Sequence, residues 1–84
     1  MSTPLLVVRI HYERDIVLAR QRARQVAAAL GCEPQDQVRI STAVSEIARN
    51  AFEYGGGGSV TFAIEGRTLR VQGTRGDYSN AGRP

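Results

Sequence analysis

The sequence has a single cysteine, no lysine, few aromatic residues (6%) and no long apolar run. Each shortage closes a class of function. Cys32 alone cannot form an internal disulfide or a cysteine-rich zinc site. No stretch approaches the roughly 18 apolar residues of a membrane span, and no apolar signal-peptide region is present, so a cytoplasmic setting is expected. The eleven basic residues are all arginine, a skew that reflects coding bias more readily than function, since both cations solubilise a surface. What is present suits one small globular domain. The chain has 84 residues, 42% hydrophobic and 23% charged, with a formal net charge of +3. At that length only about 60–65% of the unfolded surface is buried, so the core is thin.

Met1 to Pro4 read as a loose start, and Leu5 to Ile10 as one short β-branched strand. Asp15 stands where a helix N-cap belongs. From Ile16 the period is helical, with Ile16, Ala19, Ala23, Val26, Ala27 and Leu30 on one stripe and Arg20, Gln21 and Arg24 away from it. Gly31 is placed to end that helix, with Pro34 beyond it. A second helix is predicted over about Gln35 to Tyr54, its apolar face formed by Val38, Ile40, Ala43, Val44, Ile47, Ala48, Ala51 and Phe52. Gly55 to Gly58 terminate it. Val60, Phe62 and Ile64 then alternate as in a half-buried strand, Glu65-Gly66 reads as a turn, and Thr68 to Val71 as the returning strand. From residue 74 to 84 no periodicity remains, and a disordered tail is expected. Strand, helix, helix, strand, strand implies an α+β two-layer sandwich with both helices on one face of a small mixed sheet. Its far face, carrying Thr61, Ala63 and Arg70, is thinly covered.

The chemistry-bearing stretch is Ile40 to Tyr54. Glu46 and Asn50 are one turn apart and stack on one helix face, with Thr42 and Glu53 on the same polar side. A carboxylate one turn before a carboxamide offers oxygen ligands to Mg²⁺, which takes only one or two protein ligands besides water and phosphate. The carboxylate could also deprotonate a hydroxyl near a phosphoryl group. Taken alone, such a pair is more often an ordinary solvent-facing one. Other candidates are weaker. Gly55 to Gly58 lack the Gly-Lys-Ser/Thr ending of a P-loop and follow a helix instead of preceding one. His11 has no second ligand at metal spacing, and Cys32 has no activating base in view. Arg20, Arg22 and Arg24 spread around a helix and make no single stripe for nucleic acid.

Context sharpens the pair. Ala43-Val44-Ser45-Glu46-Ile47-Ala48-Arg49-Asn50 resembles the N-box of the GHKL ATPases, the superfamily of gyrase and the histidine kinases. More narrowly it resembles the anti-sigma-factor serine kinase branch and the small switch kinase of the stressosome pathway. The likeness takes in Val8-Arg9-Ile10, Asp15 to Gln21, Ala29-Leu30-Gly31, Asp36 to Ile40, Tyr54 to Gly58 and Ser59 to Phe62, roughly residues 8 to 72. It implies part of a Bergerat-type ATP-binding fold, with ATP and Mg²⁺ as cofactors. Asn50 would hold the Mg²⁺ on the ATP phosphates, and Glu46 would stand at the place of the general base. Arg49 is open between partner contact, pocket residue and surface charge.

The sequence departs from that family where an Asp-x-Gly-x-Gly box should hold adenine. Val71-Gln72-Gly73-Thr74-Arg75-Gly76-Asp77 has some of the glycines but no acidic residue at the right spacing. The expectation is that residues 1–73 correspond to the N-terminal half of a GHKL domain without its lid. Two functional classes follow. One is an ATP-dependent serine-protein kinase of an anti-sigma or stress-response partner switch. The other is a non-catalytic module that binds STAS-domain antagonists or phosphatase-type regulators. A half-fold with an open sheet edge also invites homodimerisation.

Overall fold

The computed structural model describes residues 2–55, 58–66, 68–73 and 77–80. Its elements run β1 (Ser2–Ile10), α1 (Arg14–Ala29), α2 (Pro34–Gly55), β2 (Gly58–Glu65), β3 (Thr68–Gly73) and β4 (Asp77–Asn80). The strands form one sheet in the order β1-β2-β3-β4, and every pairing is antiparallel. The α+β class is as expected, but the sheet is not mixed. One helix between two strands would return the chain parallel. Here a second helix adds one more reversal, three in all between β1 and β2, so β2 comes back antiparallel to β1.

Register explains the core. Leu6 pairs with Phe62 and Val8 with Val60 across β1 and β2, while Phe62 pairs with Val71 and Ile64 with Leu69 across β2 and β3. With a side-chain period of two, these residues share one face. They pack with Ile16, Ala19, Ala23 and Ala27 of α1 and Ile40, Val44, Ile47 and Ala48 of α2 in a single hydrophobic cluster. Phe62 is fully buried at its centre. The alanine stripe of α1 leaves room for a close approach to α2, and burying each large apolar side chain stabilises the fold by about 1.5–3 kcal/mol.

Two predicted boundaries move. β1 begins at Ser2, because the far end of β2 supplies partners: Ser2 faces Glu65, Thr3 faces Ile64 and Pro4 faces Ala63. A register shift between Pro4 and Leu6 absorbs Leu5 as an extra residue, and proline is tolerated because β1 is an edge strand. Residues 77–80, expected within the disordered tail, form β4 and pair with β3 from Leu69 to Gln72. Four residues are too few to show a period, but their backbone groups satisfy the free edge of β3. The rest of that tail, 74–76 and 81–84, lies outside the described residues, as do 56–57 of the glycine connector.

Gly31 ends α1 as predicted. It adopts φ +83°, and its N–H reaches the Ala28 carbonyl while that of Cys32 reaches the Ala27 carbonyl, each at 3.0 Å. This Schellman arrangement satisfies two carbonyls that the helix end would otherwise leave open. Leu30 is the C-cap residue and is exposed, so it drops out of the predicted stripe. Val38 is likewise exposed near the start of α2, whereas Ser41 is buried and donates its hydroxyl to the Val38 carbonyl at 2.9 Å.

Candidate functional site

At about 100° per residue, α2 turns Ile40, Val44, Ile47, Ala48 and Ala51 into the core. The same rotation turns Thr42, Glu46, Arg49, Asn50 and Glu53 outward, and all five are exposed. Glu46 and Asn50, four residues apart, therefore lie one above the other on a solvent-facing flank. Among the described residues, no ion pair or side-chain hydrogen bond occupies either one. Among those residues their oxygen atoms are free to take an external ligand, and no cation pairs with the carboxylate.

Arg49 takes a different direction. It lines a groove of about 420 Å³ together with Glu13, Arg14, Ile16 and Val17 from the beginning of α1. A second groove, of about 330 Å³, brings Arg20, Gln21 and Arg24 of α1 against Val38, Ser41 and Thr42 of α2. The start of α1 thus meets the later part of α2, and the middle of α1 meets the early part of α2, as in an antiparallel helix pair. Neither groove contains Glu46 or Asn50. The two predicted ligands sit on a ridge beside the first groove, on α2 alone.

Asp15 does not cap α1 in the predicted manner. Glu13 is the N-cap residue and makes no side-chain capping bond. The Asp15 carboxylate instead reaches backward and accepts the backbone N–H groups of His11 and Tyr12 at 2.8 and 2.9 Å. Those two bonds, with the neighbouring charge of Arg14 as a smaller influence, hold its pKa below the usual carboxylate value. The effect on the site is positional, because the β1–α1 link is fixed and Arg14 is set at the rim of the first groove. There its guanidinium carbon lies 4.7 Å from the centroid of the Tyr12 ring.

The remaining candidates are bland in the structure. His11 is exposed, its ring 6.4 Å from that of Tyr12. Cys32 is half-buried and packs against the core beside Gly31. Among the described residues, no three His, Cys, Asp or Glu side chains group to hold a metal ion. No helix among the described residues is long and apolar enough to cross a membrane. Reading the sequence along α2 missed the first groove, because Arg14 and Arg49 come from different helices and no local spacing links them.

The chain is 55% identical over 53 residues to the serine/threonine-protein kinase RsbT of Bacillus subtilis (strain 168). The match covers 63% of this chain and 40% of that protein, so the chain spans less than half of its curated relative. The similarity is to a serine/threonine kinase, in keeping with the resemblance drawn from the residues around Glu46 and Asn50. No family model matches, and no solved structure matches.

Proposed function

We propose that this chain carries the phosphate end of the nucleotide site of an ATP-dependent serine-protein kinase, working in a cytoplasmic partner switch of the anti-sigma or stress-response type. The observation that carries this reading is the stacking of Glu46 and Asn50 on the open flank of α2, in a chain so similar to a serine/threonine kinase. Their chemistry fits Mg²⁺ and phosphate: both are hard oxygen donors facing solvent, with no salt bridge to break among the described residues. The Asn50 carboxamide oxygen would hold the metal. Bound Mg²⁺ would neutralise the phosphate charge that develops during transfer. Glu46, one turn earlier, would accept the proton of a serine hydroxyl on the partner protein as that oxygen bonds to the γ-phosphorus of ATP and the bond to the β-phosphate oxygen breaks, releasing ADP. STAS-domain antagonists and phosphatase-type regulators are the partner classes that this reading implies.

Calorimetric titration of the folded chain with ATP and Mg²⁺, beside Asn50→Ala, tests it. Saturable, metal-dependent binding that the substitution abolishes supports the reading. Absence of binding by a chain shown to be folded by circular dichroism overturns it for these residues, and favours a partner-binding module without turnover.

A further inference from the structure

The two grooves between the helices differ in charge. The first contains Glu13 beside its arginines. The second, of about 330 Å³, is lined by Arg20, Gln21 and Arg24 of α1 and Val38, Ser41 and Thr42 of α2, with no carboxylate among them. Its volume falls in the ~300–1,000 Å³ range of ligand-holding clefts. Arg20 and Arg24 are one helical turn apart, so both rise from the same side of α1. Arg22 belongs to the opposite side and donates to Gln25 at 2.8 Å. Like charges at the spacing of Arg20 and Arg24 repel each other, and α1 does nothing to offset them: from Ile16 to Cys32 the sequence has no acidic residue. On α2, Asp36 is paired with Arg39 at 3.6 Å. Glu33 in the helix connection and Glu46, a turn beyond Thr42, lie outside the lining. Among the described residues, neither Arg20 nor Arg24 lies in a salt bridge.

We propose that this second groove binds the phosphate group of a small soluble molecule. Arg20 and Arg24 supply positive charge and forked N–H donors from α1. Gln21 adds a carboxamide N–H, and the exposed Thr42 a hydroxyl from the opposite helix. Ser41 is buried and donates its hydroxyl to the Val38 carbonyl, so its part is to hold the wall of the groove. Donors on two facing helices suit a tetrahedral oxyanion, whose oxygens point in several directions. A planar carboxylate is already satisfied by a single guanidinium fork. A nucleic-acid strand would need a longer basic track and stacking aromatics, and no aromatic side chain lines the groove. Neither Glu46 nor Asn50 lines it, so the site does not depend on the nucleotide reading.

The test is titration of the isotope-labelled chain with inorganic phosphate, followed through its amide NMR signals, with sodium acetate as the planar control. Ionic strength is held constant, and EDTA is present so that no metal-held phosphate contributes. Titrations are run on the unaltered chain, on Arg20→Gln/Arg24→Gln, on Thr42→Val, and on Arg14→Gln/Arg49→Gln, which removes the same charge at the first groove. Each variant is first checked for retained helix content. The expected result is a saturable shift centred on Arg20, Arg24 and Thr42. Arg20→Gln/Arg24→Gln should weaken it by about tenfold or more, and Arg14→Gln/Arg49→Gln should leave it within about twofold. Thr42→Val, which keeps the charge, should weaken it by more than about twofold. Shifts that do not saturate, or equal losses in the two arginine variants, would reduce the effect to unspecific charge and overturn the proposal. Acetate binding as tightly as phosphate would overturn it too. So would co-sedimentation with phosphatidic acid vesicles by a chain that does not bind free phosphate, since the arginines would then serve a lipid surface.

Discussion

The Oδ2 atom of Asp15 accepts the backbone N–H of His11 at 2.8 Å, four residues back along the chain. The same oxygen accepts the N–H of Tyr12, so one carboxylate fixes the whole turn between β1 and α1. Its pKa is lowered, chiefly by these two bonds. A carboxylate with a depressed folded pKa stabilises the fold above its unfolded value and loses that contribution as pH falls through the folded value. Asp15→Ala should therefore lower the thermal midpoint at neutral pH. The gap to the unaltered chain should then close as the pH drops below the ordinary aspartate value of 3.8. Melting curves taken at intervals from neutral to acid pH check this, and a gap of constant size would refute it.

Gly31 makes a cleaner backbone test. A Cβ added there would meet nothing within 4 Å, yet φ is +83°. Gly31→Ala should cost about 1–2 kcal/mol through left-handed strain alone. Gly31→Asn should cost less, because asparagine tolerates that region better. Urea titrations of the three proteins would give the order. Equal stability of Gly31→Ala and the unaltered chain would mean that the Schellman turn does not set the end of α1.

The centre of the core is the place where a small domain is most exposed to damage. Phe62 is fully buried and sits between Leu6 and Val71 in the sheet register. Phe62→Ala should cost about 3–5 kcal/mol. At ~0.05–0.15 kcal/mol per residue, the whole chain has about 4–13 kcal/mol to lose. The loss takes a large share of that stability, and near the lower end of the range it unfolds much of the population, as read by near-ultraviolet circular dichroism and urea titration. A loss under about 1 kcal/mol would show that Phe62 is not where the core is anchored.

Most of the fold was legible because its signals are local. The alternation of Val60, Phe62 and Ile64, the stripe from Ile16 to Ala27 and the stop at Gly31 each depend on residues near in sequence, and each appears in the structure. What stayed hidden is set by distant partners. Ser2 to Pro4 become strand only because β2 extends past Leu6, and residues 77–80 become strand only because β3 has a free edge. Asp15 looked like a cap by position, but its bonds run backward, which residue type alone does not reveal. The site divides in the same way. Glu46 and Asn50 were visible as a one-turn pair on α2. The groove that joins Arg49 to Arg14 required knowing how two helices cross.

Glu46 and Asn50 are both exposed and unpaired among the described residues, which allows their roles to be separated without disturbing the fold. Glu46→Gln and Asn50→Ala should each leave stability within about 0.5 kcal/mol, as expected for surface substitutions that break no cap or core contact. On the proposed function their consequences differ. Asn50→Ala removes the metal-holding oxygen and should abolish binding of ATP with Mg²⁺. Glu46→Gln keeps the size and polarity of the side chain but cannot take a proton. It should retain nucleotide binding while slowing phosphorylation of a STAS-domain partner by about 10²–10⁴, the range that a general base contributes. Calorimetry and phosphate-transfer rates, measured on the same preparations, read the two effects independently. If Glu46→Gln lost nucleotide affinity as fully as Asn50→Ala, the carboxylate would belong to the metal and another group would have to serve as the base.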